Sequence, residues 1–271
     1  MKVSVCMITY NHENYIREAI EGVLMQNIDF DMELVISNDC STDTTDDIIK
    51  EIIESHPKGS LIKYFSHKQN LGMMPNFIFT LQQCVGEYIA LCEGDDYWTD
   101  ENKLQQQIAF LDTNNDCAGC FHNVLVVNEM VPDFKPKPWR TYDKHDFTQP
   151  DTFSKVALFH TCSFVFRQRF LEFPAWFEKV KSGDMALFSL IAAKGKLRLI
   201  DGIMAVYRKN EKGVTSGQKI IDYHKNRIRL MRFFKGHFNL YLTQLDDIIA
   251  YHRSEIIKTY KKKILSIFKI K

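Results

Sequence analysis

The chain of 271 residues has no uninterrupted apolar run near the roughly 18 residues of a membrane-crossing helix. Met1 and Lys2 lead straight into Val3–Ile8 with no apolar leader, so the expectation is a cytoplasmic protein. Its seven cysteines are an odd number without framework spacing, which excludes a disulfide-stapled fold. Cys6, Cys40 and Cys92 fall in or beside apolar runs, where a reduced thiol packs as a small apolar group. Cys117 and Cys120 form a single CxxC with His122 nearby, but no second pair follows at finger spacing, so a structural zinc lacks its ligand set. No GxGxxG follows the first apolar run and no GxxxxGK[ST] occurs, which removes the usual phosphate cradles of dinucleotide-binding and P-loop proteins. There is no internal repeat.

What remains is an ordinary globular composition, 45% hydrophobic and 25% charged, enough for one large α/β core. The net charge of +1 conceals an asymmetry. Residues 225–271 hold 12 Lys or Arg against 3 Asp or Glu, a net of +9, and the residues before them hold 23 against 31, a net of −8. A basic tail of this kind suits an anionic surface. The tail lacks any nucleic-acid reading module, so nucleic acid is not an expected partner.

Short apolar runs alternate with amphipathic segments through the first half: Val3–Thr9 then Tyr15–Gln26, Glu33–Ser37 then Thr44–Ile53, Leu61–Phe65 then Pro75–Cys84, Glu87–Leu91 then Lys103–Leu111. Repeated strand–helix units predict a mostly parallel central sheet flanked by helices. Beyond Asp116, strands are expected at Ala118–Val127, Thr161–Arg167 and Lys196–Arg208, with a helix at Asp184–Lys194. The polar, proline-bearing stretch Val131–Pro150 reads as a loop over a binding site. Asn210–Lys219, with Gly213, Ser216 and Gly217, reads as a mobile loop, and helical spacing resumes from Ile220 to the end.

The run Tyr88–Leu91 is followed at once by Cys92, Glu93, Gly94, Asp95, Asp96, Tyr97 and Trp98. Ligands bind at the carboxyl ends of parallel strands, and three crowded carboxylates repel unless a cation sits among them. Glu93, Asp95 and Asp96 therefore suggest a metal carrying phosphate, with an exposed helix-capping turn as the alternative. Thr9, Tyr10 and Asn11, ending the first strand, and Asp39, ending the second, would edge a pocket on the same face. Glu13 and Arg17 read as solvated helix charges.

Several pieces together resemble glycosyltransferase family 2, the inverting group with a GT-A fold. They are VSVCMITYNHENYI, ELVISNDCSTDTT, the Asn70-x-Gly72 pair and ALCEGDDYW. The resemblance implies an α/β GT-A fold with a C-terminal helical tail. It implies an enzyme that moves a sugar from a nucleotide-sugar donor, UDP-linked, to a glycan or lipid-linked acceptor in surface polysaccharide synthesis. By resemblance Thr9 and Asp39 hold the base, Asn70 and Gly72 complete the nucleotide site, and Asp95 holds the ribose. A divalent cation, Mn2+ or Mg2+, is implied on Asp95, Asp96 and Glu93. Two departures stand out: Glu93 replaces the first acidic residue of the DxD motif, and Asn210 occupies the place of a metal-binding histidine.

Asp184, in Ser182–Met185, resembles the family's catalytic base at a helix start, although an N-cap role would place it there equally. His160 and Thr161 line the acceptor side by resemblance. Trp139, in the long loop, and Trp98 are candidates to stack on a sugar, with core packing the alternative for Trp98. The expected organisation is a transferase domain over 1–219, its nucleotide half 1–116 and its acceptor half 117–219, followed by a basic helical extension over 220–271. In that extension Ile256, Ile257, Tyr260, Ile264, Ile267 and Phe268 recur at helical spacing among lysines. Such a helix either packs on the domain or rests on an anionic membrane. A noncatalytic nucleotide-sugar binding protein of the same fold is the rival reading, and a nucleotidyltransferase is disfavoured by the missing Gly-rich basic loop.

Overall fold

The computed structural model describes residues 1–213 and 217–268, with side chains described through residue 265. Strands β1 (Val3–Thr9), β2 (Met32–Asn38), β3 (Ile62–Ser66) and β4 (Tyr88–Leu91) alternate with helices α1 (Ile16–Leu24), α2 (Thr45–Ser55) and α3 (Met73–Gln83). Then come β5 (Tyr97–Trp98), α4 (Lys103–Thr113), β6 (Cys117–Asn128), β7 (Lys137–Pro138), β8 (Asp146–Phe147) and α5 (Gln149–Thr152). The chain continues through β9 (Val165–Arg167), α6 (Gly183–Ala192), β10 (Lys196–Lys209), α7 (Ile220–Phe238) and α8 (Leu242–Phe268).

These strands form one sheet in the order β3-β2-β1-β4-β9-β6-β10-β5, with β7 on β6 and β8 on β10. The long ladders, β1 with β2, β2 with β3, β1 with β4 and β6 with β10, are parallel. Antiparallel pairing enters where β9 slots between β4 and β6 and where β5 and β8 border β10. Residues 161–164 do not extend β9: Thr161–Ser163 form a 3₁₀ turn, which brings His160 and Thr161 to the cleft instead of the sheet.

Helices cover both faces, which is why the inner strands read as unbroken apolar runs. Val3, Val5 and Met7 of β1 point into one core with Ile16, Ile20, Leu104 and Ile108. Cys6 points the other way, into a core shared with Phe77, Phe121, Phe188 and Ile191. Ile228, Leu230, Met231 and Phe234 of α7, and Leu245, Ile248 and Ile249 of α8, belong to that second core. The first part of the C-terminal region is thus packed on the sheet domain. Further along α8 the packing ends, and Ile257, Tyr260 and Ile264 are about half exposed (55%, 48% and 52%). Ser216, in the expected mobile loop, and Lys269 lie outside the described residues, as do the side chains of Ile267 and Phe268.

Candidate active site

A cleft of about 550 Å³ opens at the carboxyl ends of β1, β2 and β4. One wall is made by strand ends. Asp39 follows β2 and is held by its own backbone, whose N–H donates to Thr9 O at 2.9 Å. Its carboxylate accepts from Leu71 N at 2.6 Å and Gly72 N at 2.9 Å, while Asn70 Nδ2 donates to Asp39 O at 3.1 Å. Gly72, at φ +89°, takes a backbone conformation that side chains rarely adopt. The Asn70–Gly72 turn therefore braces Asp39. Asp39 and Asn70 line the cleft; Gly72 contributes through its N–H and is not part of the lining.

The acidic turn sits beside this. Gly94 packs so closely on Thr9 that a Cβ would stand 2.8 Å from Thr9 Oγ1. Thr9 Oγ1 is buried without a hydrogen-bond partner. Glu93, Asp95 and Asp96 all line the cleft. Burial, and then the charge of Asp95, pushes the Glu93 carboxyl up to about 8 despite a hydrogen bond from Thr161, and Asp184 adds further repulsion. Asp96 is raised well above the usual carboxylate range by burial and by the charges of Asp95 and Glu93. Its Oδ1 accepts the Arg208 N–H at 2.9 Å, which ties β10 to the turn. Asp95 Oδ2 accepts from Asn210 Nδ2 at 3.0 Å and lies 3.9 Å from His12 Nε2. Burial lowers the His12 imidazole, against the pull of Asp95 and Asp43, and so favours its neutral form.

Another part of the lining is aromatic. His160 stacks on Tyr207 with ring centroids 3.5 Å apart, and Trp139 meets His160 edge-on at 4.4 Å. Burial drives the His160 imidazole down to about 3. The loop carrying Trp139 is fastened to β6, with Trp139 N donating to Val124 O at 2.9 Å and Asn123 Nδ2 to Arg140 O at 2.7 Å. Asp184 stands in the first turn of α6, near the positive end of the helix dipole. Ser182, the residue before the helix, makes no side-chain capping bond. Asp184 and Gly183 line the cleft together with Thr161.

The structure thus brings Thr9, Tyr10, Asp39, Asn70, Glu93, Asp95, Asp96, Trp139, His160, Thr161 and Asp184 to one cavity. Besides Gly72, two expected positions fall outside the cleft lining. Trp98 is 2% exposed and donates its indole N–H to Cys162 O at 2.9 Å, with the buried Lys103 Nζ 3.9 Å from its ring centre. It is a core residue because β5 pairs with β10 under α1, and it cannot stack on a sugar there. Asn11 takes a left-handed turn (φ 57°), and its Oδ1 accepts from Thr42 N at 2.8 Å, so its side chain closes the loop before α2 outside the cleft. Glu13, expected to be merely solvated, accepts from Thr44 Oγ1 at 2.9 Å at the start of α2. Arg17 pairs with Glu51 at 2.7 Å across the surface.

His12, Tyr207, Tyr223 and Arg227 also line the cleft and were not anticipated. His12 lies within the first motif and could have been flagged; the others stand far along the chain with no local signal.

Among the described residues no three His, Cys, Asp or Glu side chains converge closely enough to hold a metal ion by themselves. The donor chemistry fits a hard divalent cation all the same. Oxygen ligands are crowded and mutually repelling, Glu93 Oε2 has no hydrogen-bond partner, and such ions commonly take one or two carboxylates and complete their shell with substrate phosphate.

Comparison with known proteins agrees with this architecture. An uncharacterized protein of Mycobacterium tuberculosis is 36% identical over 217 residues, 78% of this chain, and the chain spans 60% of that relative's length. The minor teichoic acid biosynthesis protein GgaB of Bacillus subtilis is 26% identical over 93% of this chain and 27% of its own. Among solved structures, residues 1–349 of S. aureus TarS in complex with UDP-GlcNAc superpose with a TM-score of 0.69 at 22% identity, covering 93% of this chain and 71% of that 1–349 segment. The mannosyltransferase PcManGT of Pyrobaculum calidifontis, in complex with GDP-Man and Mn2+, gives 0.61 at 15% identity over 97% of this chain and 80% of its own. The model of glycosyl transferase family 2 matches residues 4–173, more than half of the sequence, and the chain belongs to that family.

Proposed function

We propose that the protein transfers a sugar, with inversion, from a UDP-linked donor to a glycan or lipid-linked acceptor in surface polysaccharide synthesis. The observation that carries this reading is the placement of Asp39, Asp95 and Asp184 on one cleft, with Asp184 close enough to the carboxylate turn to repel Glu93. Asp39 and Thr9 receive the base, a braced carboxylate suiting the N–H of an imide. Asn70, with Tyr10, flanks the nucleotide, and Asp95 meets the ribose. The likeness to the UDP-GlcNAc complex of TarS supports a UDP donor, and the name of GgaB supports polysaccharide synthesis.

On the facing wall the acceptor hydroxyl gives its proton to Asp184 as its oxygen bonds to the anomeric carbon and the carbon–diphosphate bond breaks. One in-line displacement inverts that centre. Asp95, with Glu93 and Asp96 behind it, would hold Mn2+ or Mg2+, which when bound neutralises charge on the departing diphosphate. His160, Trp139 and Thr161 shape the acceptor side and exclude water. Product from an α-linked UDP-sugar is expected to be β-linked by NMR, and retention of configuration would overturn the reading. UDP binding without transfer or donor hydrolysis would favour a noncatalytic binding protein instead.

The C-terminal helix supports a location at an anionic membrane face. Ile257, Tyr260 and Ile264 form an exposed stripe on α8 beside exposed Lys258, Lys261 and Lys262, an arrangement suited to the lipid interface. No helix among the described residues is long and apolar enough to cross a membrane. The full chain is expected to sediment with phosphatidylglycerol vesicles at low salt, and removal of residues 259–271 to abolish this while UDP binding persists. Failure of the full chain to bind vesicles would remove the membrane from the proposal.

A further inference from the structure

Two other buried arginines have their guanidinium N–H groups taken up by protein partners. Arg167 donates from Nε to Cys117 O at 2.9 Å, from Nη1 to Tyr88 Oη at 2.9 Å and from Nη2 to Leu111 O at 2.6 Å. Arg208 pairs with Glu18 at 2.5 Å and faces Glu129 at 3.5 Å. Arg227 of α7 is different. It is 9% exposed and lines the cleft, and its Nε has no hydrogen-bond partner. Its guanidinium touches Met185 Sδ and lies 5.1 Å from the Tyr223 ring centre, with no carboxylate in ion-pair reach among the described residues. A buried charge left unpaired opposes folding, and one that faces a ligand cleft is suited to an anion.

Its position selects the anion. Met185 follows Asp184, so Arg227 lies against the first turn of α6, beside the proposed base, and Lys181 lines the same cleft. The peptide dipoles at the start of this ten-residue helix add positive potential there. Resting on the glycosyltransferase reading, we propose that Arg227, with Lys181 and the first turn of α6, binds a phosphate of the acceptor and so brings the acceptor hydroxyl to Asp184. The phosphate belongs either to a phosphodiester polymer or to a lipid-linked diphosphate. A guanidinium fork matches phosphate oxygens in both.

The test uses the full chain with three acceptors: a synthetic glycerol-phosphate hexamer, a farnesyl-diphosphate-linked sugar and a neutral polyol. One phosphate-bearing acceptor is expected to be preferred over the polyol, and Arg227→Gln to lower that preference about tenfold or more through KM. The acceptor that shows the effect identifies the phosphate's source. Arg227→Lys should recover part of it, and the exposed Lys181→Gln, which spares the core, should lower the preference about two- to fivefold. Equal loss toward the neutral polyol overturns the proposal. So does an equal loss of UDP affinity in a calorimetric titration, which would assign Arg227 to the donor diphosphate. If Arg227→Gln unfolds, an unchanged preference in Lys181→Gln overturns it. Should the wild-type chain transfer to no acceptor, the glycosyltransferase reading fails separately, and direct titration with the hexamer still decides whether Arg227 binds phosphate.

Discussion

The two walls of the cleft respond to burial in opposite directions. On the strand-end wall, burial and mutual repulsion raise Glu93 to about 8 and hold Asp96 well above its usual range. On the aromatic wall and in the core, burial lowers His160, and His122 of β6, to about 3. One force acts in both places: loss of water penalises whichever form is charged. Glu93, Asp96 and His160 are all pushed toward their neutral forms, but only the two carboxyls would gain charge when a cation approaches. That asymmetry suits a donor side that handles diphosphate and an acceptor side that handles a hydroxyl.

The strongest way to break this comparison is to remove the carboxylates. Asp95→Ala with Asp96→Ala should lower turnover about a thousandfold in a chain that stays folded, since oriented charge stabilisation is commonly worth that much; near-normal transfer would erase the functional distinction between the walls. On the other wall, Asp184→Asn preserves shape and should lower kcat about a hundredfold with little change in donor KM. Loss of stability with intact kcat would make Asp184 a helix cap.

Asp39→Ala should weaken UDP binding about tenfold, whatever sugar is attached, because it would remove the proposed base contact together with the brace on the Asn70–Gly72 turn. Calorimetry with free UDP checks this, and unchanged affinity would move the base site elsewhere. The smallest expected effect is on stability. His122 is fully buried, and its folded pKa of about 3 lies below the ordinary 6.5. The unfolded chain therefore binds more protons between these values, so the stability present above pH 6.5 is lost as pH falls. The slope is about 1.4 kcal/mol per pH unit for each such group. His122→Gln should flatten urea-unfolding midpoints measured between pH 7 and 5, and an unaltered slope would deny that burial sets this histidine's charge.

The strand-end wall was legible in the sequence because each of its parts is local. Thr9, Asp39 and the Glu93–Asp96 turn each sit at the end of an apolar run, so finding the strand finds the residue. The facing wall was legible only in pieces. Asp184 and His160 came from the family pattern, while Tyr207, Tyr223 and Arg227 belong to segments that meet only after β10 and α7 are docked. Of the two readings open for Trp98, core packing holds, and for a tertiary reason: next to the acidic turn in sequence, it is turned inward by pairing of β5 with β10.

Alternating apolar runs and their period determined the strand–helix order, the parallel ladders and the face of the sheet that carries the site, because backbone hydrogen bonding and burial of apolar faces follow from short-range pattern. Tertiary structure alone decided which carboxyls share a dielectric environment, which aromatic rings face the cleft, and that an arginine of α7 reaches the helix bearing Asp184. Those outcomes depend on distances between segments far apart in the chain, and electrostatic energy depends on distance and on exclusion of water. No periodicity encodes either quantity.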